Sequence, residues 1–160
     1  MRGKILAADA QRRSQRGAVA IEFALLFVIF FTLFYAIASY SVPLALMQAF
    51  QYAAAEGARA AVAVEPEKFS DLTSYQDAVV DRVRAVVTER LEWLPEVARQ
   101  EVLGINGAKV GVAFDNDVVT VTVSFPDYGN QPLIPMLNFP GVGAVPKLPQ
   151  NLTSTASLQL

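Results

Sequence analysis

"FALLFVIFFTLFYAIA", residues Phe23 to Ala38, decides the fold class, because only Thr32 interrupts its apolar character. The charge-free run around it is longer, reaching 33 residues from Phe23 to Ala55. About 20 apolar residues span the hydrocarbon slab of a bilayer, so the stretch is long enough to cross one. Residues 1–17 carry Arg2, Lys4, Arg12, Arg13 and Arg16 against Asp9, a net of +4. From Ala18 onward eight basic residues face fourteen acidic ones, a net of −6. A basic flank of this kind predicts a cytoplasmic amino end, with the remainder on the far side of the membrane.

Composition agrees with a membrane protein and narrows the chemistry. Hydrophobic residues make up 53% of the 160-residue chain and charged residues 18%, against roughly 25% charged in ordinary soluble domains. Cysteine and histidine are both absent, which excludes disulfides, thiolate nucleophiles, Cys/His zinc sites and His-based triads. The formal charge of −2 argues against a nucleic-acid partner. No cofactor or metal is implied. A secretory signal peptide cut after Ala36-Ile37-Ala38 competes with the membrane span. Against it, alanine-rich helical character continues through "VPLALMQAFQYAAAEGARAAVAV" from Val42.

Glu22 stands directly before the apolar run. A carboxylate there carries a desolvation cost of a few kcal/mol unless it is paired or protonated. Its simplest role is a first-turn carboxylate favoured by the helix dipole and wetted by headgroups. The surrounding residues point further. "RRSQRGAVAIEFALLF", Arg12 to Phe27, resembles the processing site of class III prepilin-like proteins, and more narrowly of the TadE/TadF pseudopilins of tight-adherence (Flp-type, type IVc) pili. "AAAEGARAAV", Ala53 to Val62, resembles the segment that follows the membrane helix in that family.

The resemblance implies a prepilin peptidase cut between Gly17 and Ala18, with Arg12, Arg13 and Arg16 as leader basic residues. It makes Glu22 the recognition and assembly glutamate, with Phe23 in the aromatic position beside it. Cleavage would create an amine on Ala18 with an ordinary pKa near 7.7–8.0. Glu22 lies four residues on, about one helical turn. In a bundle, the carboxylate of one subunit meeting the amine of its neighbour would set axial register. The implied partners are the prepilin peptidase, other pilins or pseudopilins, the inner-membrane pilus assembly platform and the lipid bilayer.

Beyond the span, a helix continuing from Ala18 to about Val64 would measure roughly 70 Å at about 1.5 Å per residue. Its second half is expected to project as a stalk, with Pro43 kinking it or marking the membrane exit. Glu56 and Arg59 are spaced to pair, and Gly57 permits close approach of another helix. Pro66 ends the helix. Ser74 with Asp77 reads as an N-cap and acidic first turn. Val79, Val80, Val83, Val86, Val87, Leu91 and Leu94 then predict an amphipathic helix to about Trp93, with Asp81, Arg84, Glu89 and Glu92 outward. Pro95 breaks it, and "EVARQEVL" predicts a short further helical piece.

The period next changes to two. Val110, Val112 and Phe114, then Val119, Val121, Val123 and Phe125, predict two strands joined by a hairpin at Asp115-Asn116-Asp117. Those aspartates read as turn residues, since a calcium cage needs about six to eight oxygens. Leu152 to Leu160 alternates as a third antiparallel strand, giving a small sheet covered by the amphipathic helix. Between strands, residues 126–149 hold six of the nine prolines. That apolar stretch is expected to form neither helix nor ladder, and to lie over the core or be exposed for docking.

These expectations assemble into an α+β protein. It has a basic leader (1–17), a transmembrane and stalk helix (18–64) and a periplasmic α+β domain (65–160). The head is a pilin-like unit of one amphipathic helix on about three antiparallel strands. The function expected is that of a minor pilin-like structural subunit, without catalysis, held in the bacterial inner membrane. An uncleaved, single-pass anchored binding or scaffold protein is the alternative. An enzyme working through carboxylates alone is a third class, but no carboxylate pairs with a histidine, cysteine or Gly-rich loop.

Overall fold

The computed structural model describes the backbone of residues 3–139, 141 and 143–160, with side chains described from Gly17 onward. Helix α1 spans Gly3–Val62 without interruption, about 90 Å of helix at about 1.5 Å per residue. The leader's Arg12, Arg13 and Arg16 side chains lie outside the described set. Pro43 does not end α1. It has no N–H to give Ser39 its helical bond, and it is buried. The neighbouring hydroxyls turn inward on the backbone, Ser39 donating to the Ala36 carbonyl at 3.0 Å and Ser41 to that of Ala38 at 2.6 Å.

After a short turn at Pro66–Lys68, helix α2 covers Leu72–Arg90. Its N-cap is Asp71, whose carboxylate accepts from the Ser74 backbone N–H at 2.8 Å and from the Ser74 hydroxyl at 2.8 Å. The helix therefore starts earlier than Ser74 alone suggests, because the carboxylate reaches the free N–H groups of the first turn better than the serine can. Both acceptor contacts hold the Asp71 carboxyl below its ordinary value, the Ser74 backbone N–H foremost. Val79, Val83, Val87, Leu91 and Leu94 form the buried stripe. Arg84, expected outward, is half-buried, because the Gly104–Gly107 turn folds over its base: a Cβ at Gly107 would lie 3.1 Å from Arg84 Cβ. Helix α3 follows at Glu96–Val102.

Strands β1 (Gly111–Asp115), β2 (Val118–Phe125) and β5 (Leu152–Gln159) make a three-stranded antiparallel sheet with β2 in the centre. Asp115 pairs with Val118, so the hairpin loop is Asn116-Asp117 alone, with Asn116 left-handed at φ 50°. The register of β2 on β5 sets Val121 against Ala156 and Phe125 against Leu152. Val119, Val121, Val123 and Phe125 face the core, while Thr120 on the other face shares a 2.9 Å hydroxyl contact with Ser157.

The second half of α1 is not a bare stalk. Leu46, Phe50, Ala53, Ala54, Ala58 and Ala61 are buried in one core with α2 and the sheet. Gly57 marks the tightest approach: a Cβ there would lie 2.8 Å from Val87 Cγ2, 3.2 Å from Val83 Cγ1 and 3.4 Å from Val121 Cγ1. The close packing expected at this glycine is thus with α2 and β2. Glu56 pairs with Arg59 at 2.6 Å and reaches Arg90 of α2 at 4.0 Å.

The proline-rich stretch corrects an expectation. It contains a small antiparallel ladder, β3 (Leu137–Phe139) on β4 (Gly143–Val145). Three-residue strands fit between Pro135 and Pro146, so neither proline has to donate within the ladder. The stretch packs along α1 rather than standing free. Tyr35 donates its hydroxyl to the Pro135 carbonyl, and its ring lies 5.9 Å from that of Phe139. The Lys147 backbone N–H donates to the Tyr40 hydroxyl oxygen at 2.8 Å.

Candidate processing and assembly site

The residues singled out at the start of the span all lie on α1, so their geometry is that of one helix surface. Gly17, Ala18, Glu22 and Phe23 are exposed. Ala18 and Glu22 are four residues apart on a continuous helix and therefore share a face. Among the described residues no ion pair involves Glu22.

Gly17 differs physically from Gly57. A Cβ at Gly17 would meet nothing within 4 Å. Glycine inside a helix costs roughly 0.5–1 kcal/mol relative to alanine. At Gly57 that cost is offset by packing which alanine would obstruct. At Gly17 nothing within the described molecule offsets it.

From Phe23 an aromatic ladder climbs the helix at four-residue intervals. Ring centroids lie 6.2 Å apart for Phe23–Phe27, 5.9 Å for Phe27–Phe31 and 6.2 Å for Phe31–Tyr35. The ladder ends on Phe139 of β3. Its spacing is legible in the sequence, but its last contact is made by tertiary structure. Nearly the whole apolar surface of the segment is exposed, from Val19 to Ile37, which water would not tolerate on a free-standing helix. No group of three or more metal-ligating side chains occurs among the described residues. The indentations beside α3, lined by Glu96, Arg99, Gln100 and Asn106, are shallow surface features. Glu96 there is held below its ordinary carboxyl value by the Gln100 side-chain amide first and Arg99 second.

These features define a class: a protein with, among the described residues, one helix long and apolar enough to cross a membrane and a small α+β head built partly on that same helix. Residues 17–59 match the family described as TadE-like protein, which bears out the resemblance of this segment to TadE-like pseudopilins and associates the chain with pilus assembly. No curated protein and no solved structure matches the chain. The matched span runs from Gly17 through the span and on to Arg59, so it joins the proposed processing point to the part of α1 that packs against α2.

Proposed function

We propose that this chain is a minor pilin-like structural subunit acting in assembly of a tight-adherence type IV pilus, cut by a prepilin peptidase between Gly17 and Ala18. The observation that carries the reading is the match of residues 17–59 to the TadE-like family, which begins at the glycine that ends the basic leader, five residues before Glu22. Gly57 is required by packing within the head, whereas a Cβ at Gly17 would meet nothing within 4 Å among the described residues, which leaves the backbone there open to another protein. That openness suits a peptidase, which must reach the backbone on both sides of its cut.

In this reading the leader with Arg12, Arg13 and Arg16 stays in the cytoplasm, and the head stands in the periplasm of a bacterial cell. Glu22 and Phe23 form the recognition and assembly pair, and the new Ala18 amine meets Glu22 of a neighbouring subunit. Desolvated together, those charges favour each other and specify axial register. The partners are the peptidase, other pilins or pseudopilins and the inner-membrane assembly platform. The role is structural rather than catalytic.

Mass measurement of the membrane-extracted protein tests the cut. Loss of residues 1–17 in the parent, with the full chain retained in a bulky-residue variant such as Gly17→Leu, is the expected result. An intact parent chain would instead favour the uncleaved anchored scaffold. Glu22→Gln is expected to leave cleavage and insertion in place yet to impair incorporation into an assembly. Normal incorporation of that variant would remove the register mechanism while leaving processing untouched.

A further inference from the structure

We propose that the β3–β4 hairpin is a second membrane contact, resting in the headgroup and upper acyl region of the far leaflet beside the point where α1 leaves the bilayer. The inference rests on the membrane-anchored reading of α1 and adds a lipid-binding surface to the head.

Depth follows from helix geometry. With the near border of the hydrocarbon between Ala18 and Glu22, a slab of about 30 Å takes about 20 residues. The far border then falls between about Ala38 and Val42. Tyr40 lies at that border, and Tyr35 lies roughly 5–10 Å inside it at about 1.5 Å per residue. Yet Tyr35 is bound by the head: its hydroxyl donates to the Pro135 carbonyl and its ring meets Phe139 at 5.9 Å. The covered face of α1 accordingly reaches back through Pro43, Ser39 and Ala36 to Tyr35, well into the apolar run. A hairpin held at this level cannot stand in bulk water while α1 spans the bilayer.

The hairpin's chemistry suits that position. Met136 and Leu137 are exposed, at 45% and 38%. Backbone N–H groups are the costly part of bringing irregular chain toward lipid. Here prolines remove several donors, the ladder pairs others, and the Lys147 N–H is bonded to Tyr40. Tyrosines with an apolar body and a bonded hydroxyl belong at such a boundary. Lys147, the only cation in residues 126–149, is exposed there and able to meet lipid phosphate.

The natural absence of cysteine makes the test direct. Full-length Leu137→Cys and Met136→Cys, labelled with an environment-sensitive fluorophore, are reconstituted in phosphatidylethanolamine–phosphatidylglycerol vesicles. Ile29→Cys serves as the mid-span control and Ile105→Cys as the exposed head control. Nitroxides placed near the acyl carbonyl or near the chain end report depth. The expected result is shallow quenching with a blue-shifted emission at 136 and 137, deep quenching at 29 and none at 105. If 136 and 137 behave as 105 while 29 is quenched deeply, the hairpin contact is overturned and the anchor stands. If 29 is unquenched as well, the membrane reading itself fails and takes the hairpin contact with it.

Discussion

Gly57→Ala sets two effects of opposite sign against each other at the tightest point of the fold. Alanine favours the helix by roughly 0.5–1 kcal/mol over glycine. Its Cβ would, however, come to 2.8 Å from Val87 Cγ2 and 3.2 Å from Val83 Cγ1. Neither methyl can retreat easily. Both valines are fully buried, and valine in a helix holds essentially one χ1 rotamer. A third methyl, Val121 Cγ1 of β2, lies 3.4 Å from the same Cβ. Overpacking of this kind costs about 1–3 kcal/mol, so the net expectation is a destabilisation of roughly 1 kcal/mol. For a head of this size that lowers Tm by about 4–8 °C. Thermal unfolding of the full chain in detergent micelles, followed by far-UV circular dichroism, reads the shift. The double variant Gly57→Ala/Val87→Ala supplies the internal check. Val87→Ala alone loses about 1.6 kcal/mol of transfer energy plus a cavity term. The added alanine methyl partly fills that cavity, so the double variant should be more stable than the sum of the singles by roughly 0.5 kcal/mol or more. A raised Tm for Gly57→Ala, or strict additivity, would refute the contact between α1 and α2 at this residue.

Phe50→Ala should cost about 3–5 kcal/mol, the usual range for a deleted aromatic core side chain, because Phe50 is fully buried where α1 enters the head. Limited proteolysis should then cut the head readily while residues 23–38 stay protected in vesicles. Asp71 has its pKa lowered by the Ser74 contacts, so its contribution is present above the ordinary carboxyl value of 3.8 and is lost as pH falls through the lower folded value. Exchange of the Ser74 amide should quicken on acidification through that window. Asp71→Asn should keep slow exchange without this acid dependence, and Asp71→Ala should fray the first turn of α2 at every pH.

The candidate site was legible almost entirely in the sequence, because its content is one-dimensional. A basic block, a glycine, a glutamate five residues beyond it and an apolar run can all be read by spacing, and a single helix preserves spacing as geometry. The strands were legible for the same kind of reason: a period of two in Val119 to Phe125 survives folding as one buried face. Caps and boundaries moved where two residues compete for the same N–H groups, as Asp71 and Ser74 do.

What lies alongside α1 was not legible. Ala53, Ala54, Ala58 and Ala61 carry little apolar surface each, so a sequence reading sees a stalk. Their smallness instead lets α2 and the sheet close on the helix backbone, as the gap at Gly57 records. Likewise the prolines of residues 126–149 exclude long ladders but say nothing about which surface the segment reaches. Its contact with Tyr35 joins residues 100 positions apart, and no local pattern encodes such a pairing. By itself, then, the sequence determined that the chain has an apolar span with a marked amino end and an α+β composition beyond it. Only the tertiary structure decided that the span's own continuation is part of the core of the head and that the proline-rich hairpin folds back along α1 to Tyr35. Local periodicity specifies which face of an element is apolar; the partner of that face is chosen by packing among distant segments.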